Sequence, residues 1–192
     1  MIRAKRRYIS RALFARLVIS VITSVTVLSA VAAASELREH QLKAAAISNL
    51  IAFTGWPARA FQTADAPLVI GVFGQGPVAV LLDYHLANET WQGRKITLRQ
   101  ITAAGDARSC HAIYISPSEL AAWRNVAGQL AHAPLLTMSD AENFARDDGI
   151  AQLAFEHHEL RLVVNVGVAR ECGLTISSKV LRLARVVDSQ KP

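Results

Sequence analysis

Residues 68–73, Leu68-Val69-Ile70-Gly71-Val72-Phe73, form a continuous apolar run fenced by Pro67 and Gly74. A strand with one wet face alternates polar and apolar residues, whereas one without alternation is covered on both faces. The run is therefore read as a buried strand, and the chain must supply helices to cover a sheet. From Glu36 to Phe53, Ala44, Ile47, Leu50, Ile51 and Phe53 recur at helical spacing. Trp56-Pro57 stops that helix, because proline disfavours helical geometry in the residue before it. Residues 77–87 read as a helix, and Ile96 and Leu98 alternate with Thr97 and Arg99 as in a half-buried strand. Ala112–Ile115 is a short apolar strand. Ser116-Pro117-Ser118-Glu119 opens a helix to Ala131, with proline near its first position and an acid in its first turn.

Leu135–Met138 is the next strand. Ile150–Phe155 and Leu160–Val166 then read as a hairpin around the polar turn Glu156-His157-His158-Glu159. A terminal helix over Ser178–Val187 would bury Val180, Leu181, Leu183, Ala184 and Val187, leaving Lys179, Arg182 and Arg185 three apart on the other side. The expected fold class is α/β: a single domain with a sheet of about six strands flanked by helices, ending in a β-hairpin and a terminal helix.

The formal net charge of +6 would point to nucleic acid if it were spread over the body. It is not. Arg3, Lys5, Arg6, Arg7, Arg11 and Arg16 take six of the 21 Lys and Arg into the first sixteen residues, leaving as many as the 15 Asp and Glu. A neutral body has no global attraction to phosphate backbones, so no nucleic-acid partner is expected. The basic run precedes an apolar stretch, Leu17–Val31, and then Ala32-Ala33-Ala34. That order is a secretory signal peptide over residues 1–34, cleaved after Ala34, with the domain over 35–192. An uncleaved anchor is the alternative, since the stretch is nearly long enough to cross a bilayer. Ser35, rather than Cys, at the cleavage point argues against a lipoprotein. Export of this kind leads to the periplasm.

Candidate chemistry is sparse. Gly74-Gln75-Gly76-Pro77-Val78-Ala79 fits a permissive G-x-G-x-x-A dinucleotide pattern, but Pro77 removes one amide that would cradle pyrophosphate and no acid ends the next strand. A plain strand-to-helix turn is the better reading. The side chains of Glu156-His157-His158-Glu159 point apart in a hairpin, and no metal-ligand spacing or G-x-S-x-G elbow occurs. Cys110 and Cys172 could form a disulfide only if the fold brings their Cα atoms within about 7 Å; two free buried thiols are the preferred reading. Trp56, at the end of the first helix, either caps the core or anchors an interface. No catalytic residue, metal or cofactor is expected.

Four ordered blocks carry a resemblance. Lys43-Ala44-Ala45 through Asn49, Phe53 and Trp56-Pro57 is similar to an opening helix K-A-A-x-x-x-N-F-x-x-F-x-x-W-P. The Pro67–Gly74 strand is the second block, and Cys110-His111 leading into Ile113-Tyr114-Ile115-Ser116 is the third. The fourth runs from Val164-Asn165-Val166 through Gly173-Leu174-Thr175-Ile176-Ser177-Ser178-Lys179-Val180-Leu181-Arg182-Leu183-Ala184. Over roughly residues 40–188 the chain thereby resembles the YfiR family of periplasmic regulators. Leu50 and Gly55 stand where that family has Phe and an acid, and Gly71 stands where a strand Cys is frequent, which would be a natural partner for Cys110. The resemblance implies a non-enzymatic periplasmic protein, often a homodimer, that represses a membrane-bound signalling enzyme. In the best-known arrangement that enzyme is a diguanylate cyclase, and an outer-membrane lipoprotein relieves the repression. From the residues themselves, Trp56 and the basic row Lys179, Arg182 and Arg185 are the candidate docking residues, against the alternatives of a core cap and a solvated helix face. The alternative is a small-ligand-binding module reporting to a membrane sensor such as a histidine kinase.

Overall fold

The computed structural model describes residues 33–188 apart from 131, 148 and 158. Residues 1–32 of the expected leader therefore lie outside the described residues, whereas Ala33, Ala34 and Ser35, around the expected cleavage point, are helical. The chain divides into two units, Met1–Arg38 and Glu39–Pro192; within the first, residues 33–38 are helical. All that follows concerns the second. Among the described residues no helix is long and apolar enough to cross a membrane.

The second unit opens with helix α1, residues 39–52, which buries Ala44, Ile47, Leu50 and Ile51 along one stripe. A two-residue strand, β1 (Thr54–Gly55), follows at once. The apolar run forms β2 (Leu68–Phe73), buried at every position. Helix α2 (Pro77–Leu86) starts with proline at its first position and buries Val78, Leu82 and Leu86 at intervals of four. Then come the short β3 (Thr90–Trp91), the half-buried β4 (Arg94–Ile101), the one-turn α3 (Ala104–Ala107) and the buried β5 (Ala112–Ile115). Helix α4 (Leu120–Ala127) is flanked by 3-10 turns on both sides, which together fill the span read as one helix. Strand β6 (Leu136–Ser139), helix α5 (Phe144–Asp147) and the antiparallel pair β7 (Ala151–Glu156) and β8 (Glu159–Asn165) complete the middle.

Five strands run parallel in the order β4-β2-β5-β6-β7. Chain order reverses at β2, the topological switch of a doubly wound sheet. The sheet is longer than expected: β3 extends one edge and β10 (Arg185–Val187) the other, giving eight strands among the described residues in the order β10-β8-β7-β6-β5-β2-β4-β3. Alternate residues sort its two faces. Leu68, Ile70 and Val72 join α1 and α2 in one core, while Val69 and Phe73 join Trp123 and Phe144 in the other. Gly74, with φ of +97°, makes the turn out of β2, and a Cβ there would lie 2.5 Å from Glu119 Cγ. Only glycine fits. The G-x-G segment is thus a tight strand-to-helix turn packed against the start of α4.

The C-terminal segment corrects the sequence reading. After β8 the chain forms α6 (Val166–Glu171), β9 (Thr175–Ile176), the one-turn α7 (Ser178–Leu181) and β10 (Arg185–Val187), rather than a helix to Val187. Strand β10 pairs in parallel with β8, Val186 opposite Val164. Val180, Leu183, Ala184 and Val187 satisfy a helical period, but continuing the helix would leave the β8 edge unpaired. Three residues of ladder win, and Leu183 is left 88% exposed. The hairpin also tightens relative to expectation: Glu156 and Glu159 pair across the strands, and His157, with φ of +52°, lies in the turn.

Candidate functional site

Two of the four sequence blocks meet at a two-stranded ribbon. β1 pairs antiparallel with β9, Thr54 opposite Ile176 and Gly55 opposite Thr175, and Ser177 N–H donates to Phe53 O at 3.0 Å. The ribbon therefore ties the end of α1 to the start of α7. Ser177 caps α7, its hydroxyl accepting from Lys179 N at 3.3 Å.

This junction exposes an unusual set of side chains. Phe53 is 41% exposed, and the Lys179 ammonium stands 5.9 Å from its ring centroid. Arg182 caps the C-terminal end of α7 and is exposed, and Leu183 follows it. Among the described residues, Lys179, Arg182 and Arg185 form no ion pair. Lys179 thus stands over the exposed ring of Phe53, and Arg182 and Leu183 are exposed at the end of the same helix. The structure splits the predicted row, however: Lys179 and Arg182 flank α7, whereas Arg185 belongs to the edge strand β10.

Trp56 stands elsewhere, in surroundings that fit the core-capping alternative rather than the interface one. It is 8% exposed, its Nε1–H donates to His111 O at 2.9 Å, and its ring meets Trp91 edge-on at 5.2 Å. An indole held this way cannot reach a partner without opening the core. His111 is the centre of that cluster. Its Nδ1 accepts from Val69 N–H at 3.0 Å, so Nε2 carries the proton and donates to Ala60 O at 3.1 Å. Phe61 stacks on the imidazole at 4.5 Å, and the Arg94 guanidinium lies over the Phe61 ring at 4.0 Å. Burial lowers the His111 pKa, despite its backbone hydrogen bonds, and keeps the ring neutral.

At the carboxyl ends of the parallel strands lies a buried charge cluster that sequence reasoning missed. Lys43 Nζ donates to Asp140 Oδ2 at 2.6 Å and meets Glu39 Oε1 at 2.6 Å, and Tyr114 Oη donates to Asp140 Oδ1 at 2.7 Å. Desolvation alone would lower the Lys43 pKa, but hydrogen bonds to the two carboxylates outweigh it and raise the pKa. Burial, then the charge of Asp140, drives the Tyr114 pKa upward, so the phenol keeps its proton. Both Asp140 oxygens are engaged. The cluster clamps α1 to the sheet, and its only signal in the sequence was that Lys43 and Tyr114 belong to two of the four blocks.

Cys110 and Cys172 are both free. Cys110 joins the core on the Trp123 face, whereas Cys172 packs against the core on the opposite face. Burial raises the Cys110 pKa to about 11, and burial, then Glu171, raises that of Cys172. Asn165, in the fourth block, is 1% exposed; its Nδ2 donates to Ala145 O at 2.9 Å and its Oδ1 caps α6 through Val168 N–H at 3.1 Å. Among the described residues no three His, Cys, Asp or Glu side chains are grouped to hold a metal.

Such a molecule is an α/β domain whose buried polar groups hold elements together and whose surface leaves Phe53 and Leu183 exposed beside Lys179 and Arg182. The chain belongs to the YfiR/HmsC-like family, whose model matches residues 40–185. No curated protein matches the sequence. Among solved structures the chain is similar to an ABC domain in complex with L-Trp from Streptococcus pneumonia, with 13% identity and a TM-score of 0.44. That match covers 62% of this chain and 54% of the other.

Proposed function

We propose that the protein is a non-catalytic periplasmic regulator that represses a membrane-anchored signalling enzyme by docking on its periplasmic part. Membership of the YfiR/HmsC-like family supports this class, and the leader supports the compartment. The enzyme is a diguanylate cyclase, so the output is cyclic di-GMP and biofilm. The observation that carries a contact mechanism is the exposed junction of Phe53, Lys179, Arg182 and Leu183, cationic and apolar together. It suits a partner surface that is acidic around an apolar centre. The protein acts as a homodimer, and an outer-membrane lipoprotein releases it.

Deletion of the gene should raise cyclic di-GMP and biofilm. Lys179→Glu together with Arg182→Glu should reproduce the deletion while the purified protein keeps its melting temperature, since exposed substitutions change stability by under about 0.5 kcal/mol. An unchanged cyclic di-GMP level on deletion defeats the cyclase assignment. Normal repression by the folded double variant removes this face from the contact.

A further inference from the structure

The sheet ends unevenly. β4 is eight residues long, but β3 covers it only at Arg94 and Lys95, while β2 pairs with it from Ile96 to Ile101. Beyond Ile96 its outer side has no strand among the described residues. Backbone groups alternate sides along a strand, and Ile96 N–H points outward, donating to Glu89 O at 3.4 Å. The N–H and C=O groups of Leu98 and Gln100 therefore point outward too, which leaves a template for one more strand.

The two faces beside this edge differ. Lys95, Thr97 and Arg99 share one face and are exposed. Among the described residues neither cation is in an ion pair; Arg99 donates to Ser109 Oγ at 3.0 Å. Asp106, which acts on the same Cys110 thiol as Arg99, is one acid against the two cations. On the other face a groove of about 660 Å³ lies between α2 and β4. The consecutive residues Leu98, Arg99 and Gln100 line it, so it reaches the edge of the strand and not one face alone. Pro77, Ala79 and Val80 form its wall, and Val80 is 72% exposed. Asp83 lines the groove as well, which turns the acids of an occupant toward Lys95 and Arg99.

We propose that the open edge of β4 takes an extended acidic peptide as an added strand, with apolar residues in the groove beside α2 and carboxylates alternating toward Lys95 and Arg99. Main-chain hydrogen bonds to Leu98 and Gln100 hold it, and the alternation sets its specificity. A second copy is the poorer occupant. Two β4 strands paired about a two-fold axis would crowd the Lys95 and Arg99 side chains of both onto one face. The site does not depend on the regulatory reading.

The probe is the peptide acetyl-Glu-Val-Glu-Val-Glu-amide, and the readout is amide hydrogen exchange. In the free protein Leu98 and Gln100 should exchange fast, and Thr97 and Arg99, whose amides turn toward β2, slowly. Saturating peptide should slow Leu98 and Gln100 at least about tenfold. A peptide with Lys in place of each Glu should bind about tenfold more weakly. Lys95→Glu together with Arg99→Glu, both at exposed positions that tolerate substitution, should reverse that preference. Two further peptides, methylated on the valine amides or on the glutamate amides, should behave oppositely, because one set turns to β4 and the other to solvent. Exchange unchanged at millimolar acidic peptide overturns the site. Equal binding of the lysine peptide overturns the acidic occupant, and equal binding of the two methylated peptides overturns strand addition. Protection of Leu98 and Gln100 that rises with protein concentration alone gives the edge to a second copy and likewise overturns the proposal.

Discussion

Lys43 on α1 and Asp140 after β6 join at 2.6 Å across 97 residues of sequence, each with a side chain about one-tenth exposed. Their arrangement makes the partners unequal. Asp140 accepts from both Lys43 and Tyr114, whereas Glu39 serves Lys43 from a position 27% exposed.

Asp140→Asn should therefore cost about 3 kcal/mol, the low end for stranding one member of a buried pair. Glu39→Gln, with water to replace the carboxylate, should cost less than about 1 kcal/mol. Urea unfolding midpoints at constant slope measure both. Comparable losses in the two variants would show that the cluster is not the clamp described above.

His111 predicts a pH dependence. Its folded pKa lies below the unfolded value because burial penalises the imidazolium, so the unfolded chain binds the proton first. Stability from this residue is complete above the unfolded value, about 6.5, and is lost as pH falls from there through the folded pKa. Melting temperatures should fall between pH 7.5 and 5.5, and His111→Gln should flatten that part of the curve. A slope unaltered by the substitution would assign it to other groups.

The free thiols predict resistance to reagents and to reductant. With Cys110 pushed to about 11 and Cys172 also raised, both remain protonated at neutral pH, and the thiolate is the reactive form. Iodoacetamide at pH 7.5 should label neither in the folded protein and both in denaturant. Dithiothreitol should leave the melting temperature unchanged. A bond closing so long a loop would have contributed about 2–4 kcal/mol, so a drop of many degrees on reduction would contradict the free pair.

Gly71 faces Cys110. A Cβ built at Gly71 would stand 3.1 Å from Cys110 Sγ, the separation of a Cβ from the far sulfur across a disulfide. It would also press on Ile101 Cγ1 at 2.7 Å and Ile113 Cγ1 at 2.9 Å. Gly71→Cys should consequently oxidise spontaneously with Cys110, and titration of free thiols should fall to Cys172 alone. The gain of about 2–4 kcal/mol from the cross-link is offset by about 1–3 from overpacking, so the net change should be small. Persistence of all three thiols under air oxidation would refute the juxtaposition.

How much of this was legible depended on whether the information was local. The six longer strands were readable because their apolar residues declare burial within a few positions. The fates of β1 and β9, two residues each, are decided by partners far along the chain, and β3, also two residues, is too short to show a period although it pairs with the adjacent β4. The segment 180–187 carries a helical and a strand period at once, and only the open edge of β8 chooses between them. The same limit applied to the site. Lys179 and Arg182 were readable as exposed cations, but Phe53 joins them through the ribbon, and no spacing rule links Lys43 to Asp140.

The ribbon also bears on when the molecule becomes whole. Thr54 pairs with Ile176, and the strand order brings β10 in last beside β8. A chain emerging amino end first can assemble its parallel strands, but the strand at the end of α1 lacks its ribbon partner until almost the entire sequence has appeared. Closing so large a loop is entropically slow, and it must precede the contacts that reward it. Nascent protein therefore passes through a stage with its sheet largely formed and one core face still loosely covered. That stage, rather than the finished molecule, is where a chaperone would find its grip.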